Sequence, residues 1–228
     1  MNVAIVVAGG KGIRFGGNRP KQFLELNAIP IIVHTLRQFE RCQQIDSVVI
    51  VLPPAEVAAF QSLADRFDVK KVARVVAGGE TRAQSVQKGL AAIAAAELVA
   101  VHDGVRPLVT PDEIDRVVIA AATNGAAVLV AEVAETIKEI ENDRIARTLP
   151  REKLRRALTP QCFRFDLLER AYESLAEMEA SGIEVTDDSF LVERLGVNVV
   201  AISGSARNIK ITTQEDLALA EALLKKSD

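Results

Sequence analysis

Several short stretches of this chain set cations, glycines and a single acid where chemistry on anions could be done. The first is Val3-Ala4-Ile5-Val6-Val7-Ala8-Gly9-Gly10-Lys11-Gly12-Ile13-Arg14-Phe15-Gly16-Gly17, followed by Arg19-Pro20-Lys21. An apolar, β-branched run that empties into a glycine-rich loop wraps backbone N–H groups around phosphates, and Arg14 and Lys21 flank the loop. Spacing excludes two familiar loops. A G-x-G-x-x-G run starting at Gly10 needs glycine where Phe15 stands, and the P-loop spacing of Gly12 and Gly17 leads into Asn18-Arg19 instead of Lys-Ser/Thr.

Five more segments carry unusual polar content. Gly78-Gly79-Glu80-Thr81-Arg82-Ala83-Gln84-Ser85 places two glycines before a helix start, with Arg82 and Ser85 one turn apart. Val101-His102-Asp103-Gly104-Val105-Arg106-Pro107 ends an apolar run on an acid, and a carboxylate there suits Mg²⁺, which prefers carboxylate together with phosphate oxygens and water. Arg151-Glu152-Lys153-Leu154-Arg155-Arg156 is the densest basic stretch, read as a solvated face apart from Arg151. Thr186-Asp187-Asp188-Ser189 and Asn208-Ile209-Lys210-Ile211-Thr212 lie near the C-terminal end. Lys210 interrupts an apolar run and so needs an anion or a route to solvent. His34 and His102 read as structural residues.

The elements that must position these groups follow from patterning. Apolar runs recur at 3–8, 47–52, 72–76, 98–102, 126–130 and 197–202, with amphipathic segments between most of them. This alternation predicts an α/β fold, a doubly wound, mostly parallel sheet with ligands at its carboxyl edge. Thr81-Arg82-Ala83-Gln84 reads as a capping box, Thr110-Pro111-Asp112-Glu113 as a capped start with proline, and Thr212 or Thr213 as the last cap. Residues 131–149 break the pattern. Val133 to Ile140 and Arg144 to Leu149 read as extended pieces joined at Glu141-Asn142-Asp143, a hairpin arm too thin for its own core.

Composition sets the bounds. The 228 residues are 49% hydrophobic with no Trp and 4% aromatics, so the core is built of Val, Ile, Leu and Ala. A net charge of -3 excludes a general nucleic-acid binder, which needs a broad basic face. No apolar run approaches the ~20 residues of a membrane span, no signal region precedes the first strand, and a cytoplasmic location is expected. Cys42 and Cys162 read as small buried hydrophobes.

In order, Ala8-Gly9-Gly10-x-Gly12-x-Arg14, Pro20-Lys21-Gln22-Phe23, Gly78-Gly79-x-x-Arg82-x-x-Ser85, His102-Asp103-x-x-Arg106-Pro107, Thr159-Pro160-Gln161, Thr186-Asp187-Asp188 and Asn208-Ile209-Lys210-Ile211-Thr212 resemble the 2-C-methyl-D-erythritol 4-phosphate cytidylyltransferase family over nearly the whole chain. The resemblance implies a single Rossmann-like nucleotidyltransferase domain with a dimerisation arm at about 131–150. It also implies transfer of CMP from CTP to a sugar-alcohol phosphate with Mg²⁺, in a homodimer whose arm completes the neighbouring site. By matching position, Arg14 and Lys21 would act at the α-phosphate, and Ala8, Gly9, Gly10, Gly12, Gly79, Glu80, Arg82, Ser85 and Gly104 would surround the nucleotide. Asp103 would meet the metal, and Arg106, Thr136, Arg151, Thr186 and Lys210 would hold the acceptor, with Arg151 and Lys210 also catalytic. The chain departs from the family where Gly9 replaces a common Ala, Glu80 stands for Asp, and Gly104-Val105 replaces Ala-Ala. Competing readings are ribitol-5-phosphate cytidylyltransferase, a non-catalytic nucleotide-binding module, and a sugar-nucleotide enzyme using another base.

Overall fold

The computed structural model describes residues 1–10 and 20–225. The expected apolar runs become strands β1 (Asn2–Val7), β4 (Ser47–Leu52), β5 (Val72–Ala77), β6 (Leu98–Asp103), β7 (Ala126–Glu132) and β11 (Val200–Ser203), the last starting later than its run. The short strands β2 (Glu25–Leu26) and β3 (Ile29–Pro30) form a separate ribbon. Seven strands make the main sheet in the order β11-β7-β10-β6-β1-β4-β5. All neighbours are parallel except at β10 (Arg155–Arg164), which runs antiparallel to both β6 and β7.

β10 is the element the sequence pattern does not announce. Its basic start reads as a charge run, and Pro160 argues against a central strand because it offers no N–H to a ladder. The structure accommodates the proline at a register shift between Ala157 and Gln161, beyond which the strand pairs on both sides. Arg155 and Arg156 remain exposed, as expected of them.

Alternation along β1 divides the core into two layers. Ala4 and Val6 pack with Ile32, Leu36 and Phe39 of α1 (Ile31–Arg41), Phe60 of α2 (Val57–Arg66) and Ile114 and Val117 of α4 (Pro111–Asn124). Val3, Ile5 and Val7 face Val86 and Leu90 of α3 (Arg82–Ala91) and Leu168 and Tyr172 of α5 (Phe165–Glu173). The shorter α6 (Leu175–Ala180) and α7 (Asp188–Glu193) extend the second layer, and α8 (Gln214–Leu224) closes a small third cluster around Ile211. Each fully buried aliphatic side chain contributes about 1.5–3 kcal/mol. Among the described residues no helix is long and apolar enough to cross a membrane, and Cys42 and Cys162 are buried free thiols.

Thr110 and Thr213 each close a full capping box, with Glu113 and Asp216. Thr81 caps α3, but the Gln84 side chain accepts from the Glu80 N–H instead of the Thr81 N–H, so the expected box there is half made. The arm is present as β8 (Lys138–Glu141) and β9 (Arg144–Thr148), shorter than the extended pieces expected. Positive φ at Asn142 (48°) and Asp143 (60°) makes its two-residue turn. Every residue of both strands is exposed.

Lys71 ties the end of α1 to the sheet. Its ammonium donates to the carbonyl of Phe39 (3.0 Å), which the last turn of the helix leaves unpaired, and to those of Cys42 (2.8 Å) and Ile45 (2.8 Å) in the segment that follows. A Lys71→Met chain should lose about 2–3 kcal/mol, because partly buried carbonyls are stranded, and its thermal midpoint should fall by about 5–10 °C. Differential scanning calorimetry checks this.

Candidate active site

The carboxyl ends of β1, β5 and β6 open on a cavity of about 230 Å³. Register makes this possible: Val7 of β1 stands opposite Asp103 of β6, and Ala8, Gly78 and Gly104 continue the ladder past the strand ends with bonds of 2.8 Å each. The two glycine loops meet closely. A Cβ at Gly9 would lie 3.1 Å from Ser85 Oγ, and one at Gly78 would lie 2.9 Å from the same oxygen. That hydroxyl accepts from Gly79 N–H (3.0 Å) and donates to Thr81 O (2.9 Å), so it fixes the turn into α3. The buried Gln22 amide donates to Ala8 O at 2.5 Å and holds the first loop from the other side.

Asp103 is the electrostatic centre. Its Oδ1 accepts from Arg82 Nε (3.0 Å), and its Oδ2 from Arg106 Nε (3.3 Å) and Lys210 Nζ (3.0 Å). Burial pushes the carboxyl up, but Arg82, Lys210 and Arg106 outweigh it and hold it well below the usual carboxylate range. Arg82 also donates through Nη2 to the buried Asp188 (2.8 Å), whose other oxygen accepts from Tyr172 OH (2.5 Å). Burial alone would lower the Arg82 guanidinium; Asp188 and Asp103 instead hold it well above its ordinary value. Three cations thus face two carboxylates, and Lys21 lines the same cavity. The wall is built to meet an anion.

Behind the carboxylate sits His102, fully buried and edge-on to Phe39 with ring centroids 5.2 Å apart. A carbonyl only accepts, so the Arg106 carbonyl at 3.3 Å fixes the proton on Nε2. Nδ1 then accepts from the Thr159 hydroxyl (3.0 Å), which itself accepts from Asp103 N–H (3.1 Å). Asn208 completes the support: its side-chain amide nitrogen donates to Thr159 O (2.9 Å), and its backbone carbonyl receives Arg106 Nη1 (2.8 Å). Burial lowers the His102 imidazole to about 4, so it stays neutral at pH 7.

Ala8, Gly9, Gly10, Lys21, Gly79, Glu80, Arg82, Ser85, Asp103 and Lys210 all border the cavity, as the sequence motifs suggested. Gly104 does not; a Cβ there would meet Ile32 (2.8 Å) and Ala8 (2.9 Å), so this glycine packs β6 against α1. Arg106 stands behind the wall on Asp103. Thr136 and Arg151 are exposed at the base of the arm, where Arg151 donates to Ala134 O (2.9 Å), and Thr186 is exposed before α7; none of the three lines the cavity of its own chain. Gly12 and Arg14 lie outside the described residues. Sequence reasoning gave no role to Tyr172, Asp188, Thr159 or Gln161. Gln161 binds Asp187 Oδ2 and the Asp188 and Ser189 N–H groups, and so sets the α7 start that places Asp188 under Arg82.

Among the described residues no three His, Cys, Asp or Glu side chains gather as a metal nest. Mg²⁺ at a phosphate site is held by one or two carboxylates with ligand oxygens and water, and Asp103 fits as that single carboxylate once Lys210 or Arg106 releases Oδ2.

The family model for 2-C-methyl-D-erythritol 4-phosphate cytidylyltransferase matches residues 2–226. A relative of that description from Geobacillus kaustophilus is 44% identical, the match covering 97% of this chain and 96% of its own. One from Pelotomaculum thermopropionicum is also 44% identical, over 97% and 93%. Among solved structures, the 4-diphosphocytidyl-2C-methyl-D-erythritol synthase of Anaerococcus prevotii superposes with a TM-score of 0.85 at 31% identity, covering 98% of each chain. The 2-C-methyl-D-erythritol 4-phosphate cytidylyltransferase of Thermus thermophilus gives 0.77 at 35% identity, over 99% and 100%.

The neutral His102 has a consequence for stability. Unfolded, the imidazole takes a proton near 6.5, but folded only near 4. Between these values the unfolded chain holds the extra proton, so stability is lost as pH falls through this window, by up to about 3 kcal/mol. The Asp103 carboxyl, depressed in the folded chain, adds its own loss only at lower pH. Denaturant titrations from pH 7 to 4 should show this decline, and a His102→Gln chain should decline less steeply.

Proposed function

The chain belongs to the 2-C-methyl-D-erythritol 4-phosphate cytidylyltransferase family, and from that premise we propose how its residues divide the reaction. The enzyme joins CTP and 2-C-methyl-D-erythritol 4-phosphate into 4-diphosphocytidyl-2-C-methyl-D-erythritol, with release of pyrophosphate, in isoprenoid biosynthesis. An oxygen of the acceptor phosphate forms the new bond to the α-phosphorus of CTP. The bond to the pyrophosphate oxygen breaks, and pyrophosphate leaves with that electron pair.

A phosphomonoester has a second pKa near ~6, so its oxygen attacks without a general base. A neutral, enclosed His102 agrees with that requirement. The obstacle is repulsion between two polyanions, which makes the task one of positioning and charge stabilisation. The cation cluster on Asp103, beside two glycine loops at the sheet edge, is the observation that carries this reading.

In the proposal Ala8, Gly9, Gly10, Gly79, Glu80 and Ser85 receive the nucleotide through backbone and hydroxyl groups. Arg14 and Lys21 stabilise the charge at the α-phosphorus. Lys210 and Arg106 are held on Asp103 until acceptor or triphosphate oxygens offer a stronger partner. Mg²⁺, when bound, neutralises triphosphate charge, with Asp103 as its protein ligand. Thr136, Arg151 and Thr186 reach the acceptor, the first two from the arm of a partner subunit. Exposure of Ile140 (58%) and Ile145 (63%) on a hairpin without a core supports a homodimer in which the arm is covered. Two buried free thiols agree with a reducing, cytoplasmic compartment.

A pyrophosphate-release assay with CTP and Mg²⁺ tests the reading. Turnover is expected with 2-C-methyl-D-erythritol 4-phosphate and about 10²-fold less for Lys210→Ala, the scale seen on loss of a single transition-state donor. Turnover with ribitol 5-phosphate alone would sink the acceptor assignment. Ile140→Asp with Ile145→Asp should yield a monomer by sedimentation, with the same turnover lost; a fully active monomer would remove the shared site.

A further inference from the structure

The last turn of α6 reaches across to the start of α3. There the Glu179 carboxylate holds two groups, one on each oxygen: Oε1 accepts from the Thr81 hydroxyl (3.0 Å) and Oε2 from the Gln84 side-chain nitrogen (2.9 Å). A carboxylate only accepts, so the nitrogen of the Gln84 amide must face Glu179 and its oxygen must face the other way. That oxygen accepts from the Glu80 N–H (3.1 Å). Gln84 also lies directly over Gly79, where a Cβ would stand 2.5 Å from Gln84 Cβ. The bond to Glu80 alone would leave the amide free to turn over. Glu179 removes that freedom.

One peptide plane is fixed as a result. The N–H and C=O of a trans peptide point in opposite directions, so the bond from Glu80 N–H to Gln84 turns the Gly79 carbonyl away from Gln84. Gly79 and Glu80 line the active-site cavity, and Gln84 does not. Among the described residues the Gly79 carbonyl accepts no hydrogen bond, whereas the Gly78 carbonyl is taken by Lys88 Nζ (2.9 Å). Phosphates belong with Lys21, Arg82 and Lys210; a carbonyl and the Glu80 carboxylate repel them, which leaves this loop to the uncharged base. Cytosine and uracil differ at the atom such an acceptor meets. Cytosine carries a 4-amino donor there, and uracil a 4-oxo acceptor.

We propose that Glu179 is a positioning residue for base selection: through Gln84 it holds the Gly79–Glu80 peptide with its carbonyl toward the cavity, so that the loop accepts the amino group of cytosine and turns uracil away. This role rests on the reading of the cavity as a CTP site. Calorimetric titration of the whole chain with CTP and with UTP, each with Mg²⁺ and without acceptor, tests it. The unmodified chain should bind CTP more tightly than UTP, and Glu179→Ala and Gln84→Met should each narrow the ratio of the two Kd values at least about tenfold. The exchange Glu179→Gln with Gln84→Glu keeps an acceptor against the Glu80 N–H and a donor beside it, and should restore the ratio. A purely structural contact would weaken both nucleotides alike and leave the ratio unmoved. An unmoved ratio in both single variants, or a narrowed ratio that the exchange leaves narrowed, overturns the proposal while the CTP site stands. An unmodified chain that binds neither nucleotide overturns the CTP site and this role with it.

Discussion

One carboxylate organises this molecule. Asp103 is buried at the end of a central strand, an arrangement that costs several kcal/mol unless the charge is paired. Three cations from separate parts of the chain pair it: Arg82 from the start of α3, Arg106 from the following turn and Lys210 from near the C-terminus. The attraction works in both directions. It keeps the carboxyl ionised, and it draws Arg82 and Lys210 to the rim of a cavity lined by two glycine loops, with Arg106 behind them.

The surrounding structure serves that arrangement. Alternating small and branched residues on β1 let helices cover both sheet faces, and parallel pairing with β6 brings Val7 level with Asp103. β10 reaches the middle of the sheet despite Pro160, and from it Thr159 and Gln161 address the site: Thr159 holds the Asp103 backbone, and Gln161 sets the turn carrying Asp188. Asp188 and Tyr172 then fix the far end of Arg82. A guanidinium gripped at two ends by buried carboxylates presents its charge in one place, and such preorganisation is what charge stabilisation in catalysis requires.

Much of this was legible in the residues. The six apolar runs, the helix caps at Thr110 and Thr213, the Asn142-Asp143 turn and the cations of the site announce themselves through period, cap chemistry and spacing. β10 did not, because a proline and a basic start oppose the strand pattern, and its place depends on partners on both sides. Neither did the task of Asp188, since in Asp187-Asp188 nothing local says which acid caps α7 and which is buried under Arg82. The sequence pattern places Gly104 beside the nucleotide but does not show that Ile32 and Ala8 crowd it so closely that no Cβ fits. Such facts belong to tertiary contacts, which single-sequence patterns do not encode.

The central claim is that Asp103 holds the cations of the site in place. A crystal structure of the Asp103→Ala chain, compared with the unmodified chain in the same crystal form, tests it most directly. The account predicts that Lys210 and Arg106 leave their positions while Arg82 stays on Asp188 by its Nη2 atom. All three cations unmoved around an alanine would contradict it.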